Sequence, residues 1–119
     1  MVQRMAMTAR MVTIDCAEPR SLAKFWTEAA GYAAQDDWDG WYIVLSPASG
    51  DGLAIGLQKV EEPRVGKNRV HIDWLTEDRP AEVARLVGLG ATVLAEHTAG
   101  AFAWTVLADP DGNEFCVAG

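Results

Sequence analysis

From Met11 to Cys16 the side chains alternate: Met11, Thr13 and Asp15 share one face of a strand, and Val12, Ile14 and Cys16 share the other. The period then changes. Leu22, Phe25, Trp26 and Ala29 recur at i, i+3, i+4 and i+7, which predicts one apolar helical stripe. Pro19 suits the first turn of that helix, with Glu18 before it in the capping position, and Gly31 supplies a left-handed end. A weak strand is expected over 33–38. Firmer strands are expected over 41–45 and 53–60, joined by the turn Ser49-Gly50-Asp51-Gly52.

The second half repeats this plan. A strand is predicted over 70–75, with His71, Asp73 and Leu75 on one face. Asp78 can cap a helix that carries Val83, Leu86 and Val87 and ends at Gly90. Strands follow over 92–96 and 102–107. Asp109-Pro110-Asp111-Gly112 suits a type I turn, and a last strand covers 114–117. Ile14-Asp15 and Ile72-Asp73 open the two halves, and Glu18 to Gly31 has the same thirteen-residue spacing as Glu77 to Gly90. The chain is therefore expected to be one α+β domain of two modules, about 10–60 and 69–118, joined by a linker at 61–68 that holds Pro63 and Gly66. A module of about 55 residues buries little surface alone, so the halves should need each other. The apolar strand faces should lie under the helices, leaving Asp15, His71 and Asp73 facing a shared cleft.

Charge narrows the partners. Seventeen acidic residues against ten basic give −7. The basic residues form no stripe, which argues against nucleic acid, and the acidic balance favours cationic ligands over anionic membranes. No apolar run approaches the roughly 20 residues of a membrane helix, and residues 1–11 lack the apolar centre of a secretory signal. With only Cys16 and Cys116, no disulfide framework is expected, and a cytoplasmic protein with reduced thiols is.

The motifs together resemble the glyoxalase, bleomycin-resistance and dioxygenase superfamily, also called vicinal oxygen chelate proteins. The resemblance rests on Val12-Thr13-Ile14-Asp15-Cys16 with Phe25-Trp26 and Gly31, on Arg69-Val70-His71-Ile72-Asp73 with Gly90-Ala91, and on Asp109-Pro110-Asp111-Gly112-Asn113-Glu114-Phe115. It covers about residues 10–118 and is closest to the small glyoxalase-like domains. It implies two βαβββ modules forming a curved, cup-like mixed sheet with helices on the convex face, commonly paired as a homodimer. Modules of such proteins pair within one chain or swap between two.

Metal-using members commonly place a His and a Glu in each half, on the first and last strands. Carried onto this chain, those positions fall on Met11, Gln58, His71 and Cys116. A thioether and an amide replace ordinary ligands poorly, so no metal cofactor is expected. Were one present, His71 with Gln58 and Cys116 would hold it.

The ligand-binding candidates are Met11, Thr13, Asp15, Trp41, Gln58, His71, Asp73, Trp104, Glu114 and Cys116. His71, Asp15, Asp73 and Glu114 are the catalytic candidates, as carboxylates and an imidazole able to move a proton. His71 reads as a wall or ligand-contact residue, His97 as a solvated residue at a hairpin edge, and Cys116 as a small buried filler rather than a nucleophile. Trp26 and Trp74 read as core. Trp38, Trp41 and Trp104 lie near strand ends, where rings can wall a pocket or pack. Two functions stay open. One is a binding protein, similar to bleomycin-resistance members, that holds an aromatic or cationic small molecule unchanged. The other is a lyase, isomerase, epimerase or dioxygenase-type enzyme.

Overall fold

The computed structural model describes residues 9–68 and 70–119. Arg69 of the second opening motif and residues 1–8 of the segment read for a signal lie outside the described residues. Each half is a strand, a helix and three strands. The first half holds β1 (Met11–Cys16), α1 (Pro19–Ala30), β2 (Tyr32–Asp37), β3 (Tyr42–Pro47) and β4 (Ala54–Lys59). The second holds β5 (Asp73–Leu75), α2 (Arg79–Leu89), β6 (Thr92–Ala99), β7 (Phe102–Ala108) and β8 (Glu114–Ala118). The strands form two four-stranded mixed sheets, ordered β1-β4-β3-β2 and β5-β8-β7-β6, and neither closes into a barrel. In each sheet the first and last strands run parallel and the other pairs antiparallel.

The local signals act as their chemistry dictates. Pro19 opens α1 and Gly31 ends it at φ 69°, in the left-handed region that favours glycine. Glu18 occupies the capping position, but its side chain makes no cap hydrogen bond. Asp78 does cap α2, its carboxylate accepting from Ala81 N at 3.2 Å. β5 is shorter than the alternation implies. Its partner β8 starts only at Glu114, after the turn, so residue 70 has no strand to pair with and Val70 is left exposed. β6 is longer than expected, because its ladder with β7 continues to Ala99–Phe102 across a turn at Gly100. Among the described residues no helix is long and apolar enough to cross a membrane.

One core serves both halves. Leu22, Phe25 and Trp26 of α1 pack with Ile43, Leu45, Ile55 and Leu57 of the first sheet and with Leu107, Phe115 and Val117 of the second. Trp26 is the junction. Its ring stacks on Trp74 at 5.5 Å, meets Phe115 edge-on at 4.9 Å, and donates Nε1–H to the buried carboxylate of Asp109 at 3.2 Å. Asp109 also accepts from Asp111 N at 3.0 Å and Asn113 N at 2.9 Å. The same turn reaches the first half twice: Ala17 N donates to Asp111, and Asn113 Nδ2 donates to the Asp15 carbonyl. Asp109 and Asp111 thus form a turn and also latch the modules together.

Candidate functional site

A hollow lies between the modules. It is a cleft of about 820 Å³, bounded by β1, by the connection between β4 and β5, and by the β7–β8 turn with the start of β8. Thr13, Asp15, His71 and Glu114 line it, and Trp26 and Phe115 contribute apolar wall. The connecting segment adds Glu61, Glu62, Arg64 and Lys67, residues assigned to a linker from the sequence. Among the described residues, six lining carboxylates, Asp15, Glu61, Glu62, Asp109, Asp111 and Glu114, stand against two full cations, Arg64 and Lys67. An excess of negative charge in a concave space concentrates cations there.

Strand register sets the chemistry on each side. In the second sheet Asp73 pairs with Cys116, and Cys116 with Val106. His71 lies two residues before Asp73, just ahead of β5, and imidazole, carboxylate and thiol meet: their ligand atoms all lie within 4.8 Å of one another. His71 Nε2 is 3.3 Å from Asp73 Oδ1, in a solvent-exposed pair. Cys116 is buried. Burial, followed by the Asp73 charge and its hydrogen bond, pushes the thiol above its ordinary range, so it rests protonated near neutral pH.

The first sheet repeats this register with other residues. Asp15 pairs with Gln58, and Gln58 with Tyr42. By register Asp15 matches Asp73, Gln58 matches Cys116, Tyr42 matches Val106 and Thr13 matches His71. Counting back from the helix-ending glycines points instead to Met11. The joints and helices between the opening strands and the glycines add up to the same length in both halves, and β5 runs two residues past Asp73 where β1 runs one past Asp15, so a count from the glycines does not reproduce the strand register. Thr13 is also engaged already: its Oγ1 lies 3.0 Å from the Tyr42 hydroxyl, which also approaches Met11 Sδ at 3.8 Å. Tyr42 reaches across because Gly56 leaves room; an added Cβ there would sit 2.5 Å from the hydroxyl. Tyr42 was not singled out from the sequence. The burial of Ile43 and Leu45 on the helix side fixes its phase, and that apolar alternation was the available signal.

The remaining candidates lie elsewhere. Met11 pairs with Ala54 and Gln58 with Asp15, at opposite ends of the β1–β4 ladder, so they do not converge. Beside His71 and Cys116 the structure places Asp73. Trp41 is exposed, with Lys59 Nζ 4.7 Å from its ring centre, and Trp38 meets Tyr42 edge-on at 5.8 Å. Trp104 stacks on His97 at 5.3 Å and leans on Phe102 at 5.6 Å, so His97 is a stacking partner rather than merely solvated. Neither Trp41 nor Trp104 lines the cleft. Both cysteines are free and buried, and burial pushes the Cys16 thiol up to about 12.

The fold has relatives. A possible glyoxalase from Bacillus cereus superposes with a TM-score of 0.75 at 18% identity, covering 96% of this chain and 100% of that one. A fosfomycin resistance protein from Listeria monocytogenes, complexed with Mn(II) and a dihydroxypropylphosphonic acid, gives 0.78 at 14% identity, covering 97% and 90%. A lactoylglutathione lyase from Agrobacterium tumefaciens gives 0.72 at 14% identity, covering 97% and 95%. Likeness at these identities speaks for the fold alone. No curated protein matches the sequence. The family model of the glyoxalase-like domain matches residues 11–118, and the chain belongs to that family, within the glyoxalase, bleomycin-resistance and dioxygenase superfamily.

Proposed function

We propose that this protein binds a small cationic or aromatic molecule in the inter-module cleft, without the superfamily's four-donor metal arrangement. The observation that carries the reading is the cleft itself, about 820 Å³ with six carboxylates on its walls. That volume suits a drug-sized ligand. The four-donor arrangement does not fit this chain: Met11 and Gln58 lie at opposite ends of their ladder, and neither offers an imidazole or a carboxylate. Asp15 and Glu114 would meet the ligand's charge, and Thr13 and His71 its hydrogen-bonding groups.

The test is a thermal-shift and tryptophan-fluorescence screen of matched aromatic amines and aromatic acids. The amines should raise the melting temperature and the acids should not. Asp15→Asn combined with Glu61→Gln and Glu62→Gln should weaken amine binding at least about tenfold, the loss of roughly 1.4 kcal/mol. Equal binding of the acids, or no effect of the triple variant, would refute the reading. Recovery of the ligand unchanged, by mass spectrometry, separates binding from turnover.

A second reading has its own support. His71 lines the cleft with Asp73 at 3.3 Å, a pairing able to orient an imidazole as a general base. Conversion of a bound amine that is lost in His71→Gln would favour this enzyme of the epimerase or lyase type. Assembly and location extend the proposal. β1 and β5 are unpaired sheet edges, and Val70 and Leu75 beside them are 72% and 84% exposed, which favours a homodimer. Two free thiols suit the cytoplasm.

A further inference from the structure

We infer that a second hollow, on the helix side of the second sheet, binds a small neutral aromatic molecule that carries a hydrogen-bond acceptor. This hollow holds about 200 Å³ and is enclosed by the end of α1, by α2, by β5 and by β8. Trp26 and Phe115 line both it and the cleft, so their rings form the wall between the two. The inference goes beyond the cleft-binding proposal and stands whether or not the cleft takes an amine.

The space is held open by regular elements of both modules. Arg85 of α2 donates Nη1–H to the Glu28 carbonyl at 3.2 Å and Nη2–H to the Ala29 carbonyl at 2.6 Å, which ties α2 to the end of α1. Leu22, Phe25 and Trp26 of the α1 stripe fill the core, whereas Ala29 and Ala30 at its end present only methyl groups to the hollow. A pocket walled by helices and strands is formed before its ligand arrives.

One polar atom beside it is unsatisfied. Trp74 lines the hollow, and its Nε1–H is buried with no acceptor among the described residues. The ring is held in place, stacked on Trp26 at 5.5 Å and edge-on to Tyr32 at 6.1 Å. An unfilled apolar space costs stability, and so does a buried N–H without a partner. A phenylalanine ring could pack against Trp26 and Tyr32 with no polar atom to satisfy. Both costs fall at one place, and one ligand removes both.

The walls choose the ligand. A cavity of about 150 Å³ takes benzene, so this one suits a single ring with a short substituent. Trp26, Trp74 and Phe115 favour an aromatic ring. The indole N–H asks for a carbonyl or ether oxygen. Glu82 and Arg85 are the charged groups among the described lining residues, and they pair with each other through Nε at 2.6 Å. No charge is left over to attract an ion. The cleft, with its excess of carboxylates, makes the opposite choice.

Acetophenone and ethylbenzene, nearly the same shape with and without an acceptor, test this on ¹⁵N-labelled full-length protein. Acetophenone should bind once per chain and shift the Trp74 indole N–H resonance. It should bind at least about threefold more tightly than ethylbenzene, the contribution of one hydrogen bond. Trp74→Phe should erase that preference with circular dichroism unchanged; should that variant not fold, the resonance in the unaltered protein decides. Ala29→Leu should fill the hollow and weaken both ligands at least about tenfold. The cleft variant Asp15→Asn with Glu61→Gln and Glu62→Gln should bind acetophenone as before, so the cleft reading is judged separately by the amines. Equal binding of ethylbenzene, an unmoved Trp74 resonance, or loss of acetophenone binding in the cleft variant would overturn the inference.

Discussion

The two modules share one topology and one strand register, and they carry different chemistry at matching positions. In the first, the register set is Thr13, Asp15 and Gln58, with Tyr42 laid across it and Gly56 leaving the space. In the second, it is His71, Asp73 and Cys116, with Val106 in Tyr42's place. In the first, the Thr13 and Tyr42 hydroxyls are engaged with each other; the second presents an imidazole and a carboxylate to solvent beside a thiol. A duplicated scaffold supplies geometry twice, and side-chain identity decides which copy is available for a ligand.

The packing is also unequal. α1 buries Leu22, Ala23, Phe25 and Trp26, whereas α2 buries only Leu86. Trp26→Ala should therefore have the largest effect, about 3–5 kcal/mol by urea denaturation, because it opens a cavity between the modules and removes one of the three donors to the buried Asp109 carboxylate. A loss under 1 kcal/mol would mean that the modules do not depend on this junction. Asp109→Asn should come next, at about 1–3 kcal/mol, since an amide can present an N–H to the Trp26 N–H where the carboxylate accepted it.

This variant also has a pH signature. Burial raises the Asp109 carboxyl above its ordinary value of 3.8, against its three N–H donors. Between 3.8 and the higher folded value, the native state holds a proton that the unfolded chain has lost. Asp109 therefore makes stability fall as pH rises through that window, and Asp109→Asn should remove that contribution. A pH profile parallel to that of the unaltered protein would contradict the assignment.

Two further substitutions sharpen the contrast between the faces. Gly56→Ala should displace Tyr42 from Thr13 and cost about 1 kcal/mol, visible as a changed Tyr42 ring environment by NMR. The register counterpart of Gly56 on β8 is Glu114, and no tyrosine lies over it. Smallest of all, Asp73→Asn should change stability by no more than about 0.5 kcal/mol, because its partner His71 is solvent-exposed. A larger loss would make the cluster structural.

Much of the fold was legible because each element carries its own local signal. Alternation marks β1, the Leu22–Phe25–Trp26–Ala29 stripe marks α1, and Gly31 and Gly90 end the helices. The pairing of strands was not, since it depends on contacts between residues far apart in sequence. Counting back from the glycines gave Met11, whereas the register with β4 puts Thr13 two residues before Asp15 as His71 stands two before Asp73. The meeting of Asp73 with Cys116 spans two strands and has no signature in sequence spacing. Nor does the bond from Trp26 to Asp109, or the placement of Glu61 and Glu62 on the cleft wall. His71 and Cys116 could be singled out together because the family resemblance carries a ligand position onto the first and the last strand of the second module.

Cleft binding can be read directly by titrating ¹⁵N-labelled protein with an aromatic amine and following backbone amide shifts. The expected changes centre on residues 12–17, 60–68, 70–72 and 109–115, which line the cleft, with 92–99 unmoved. Comparable shifts in 92–99, or none along the cleft, would contradict the proposed site.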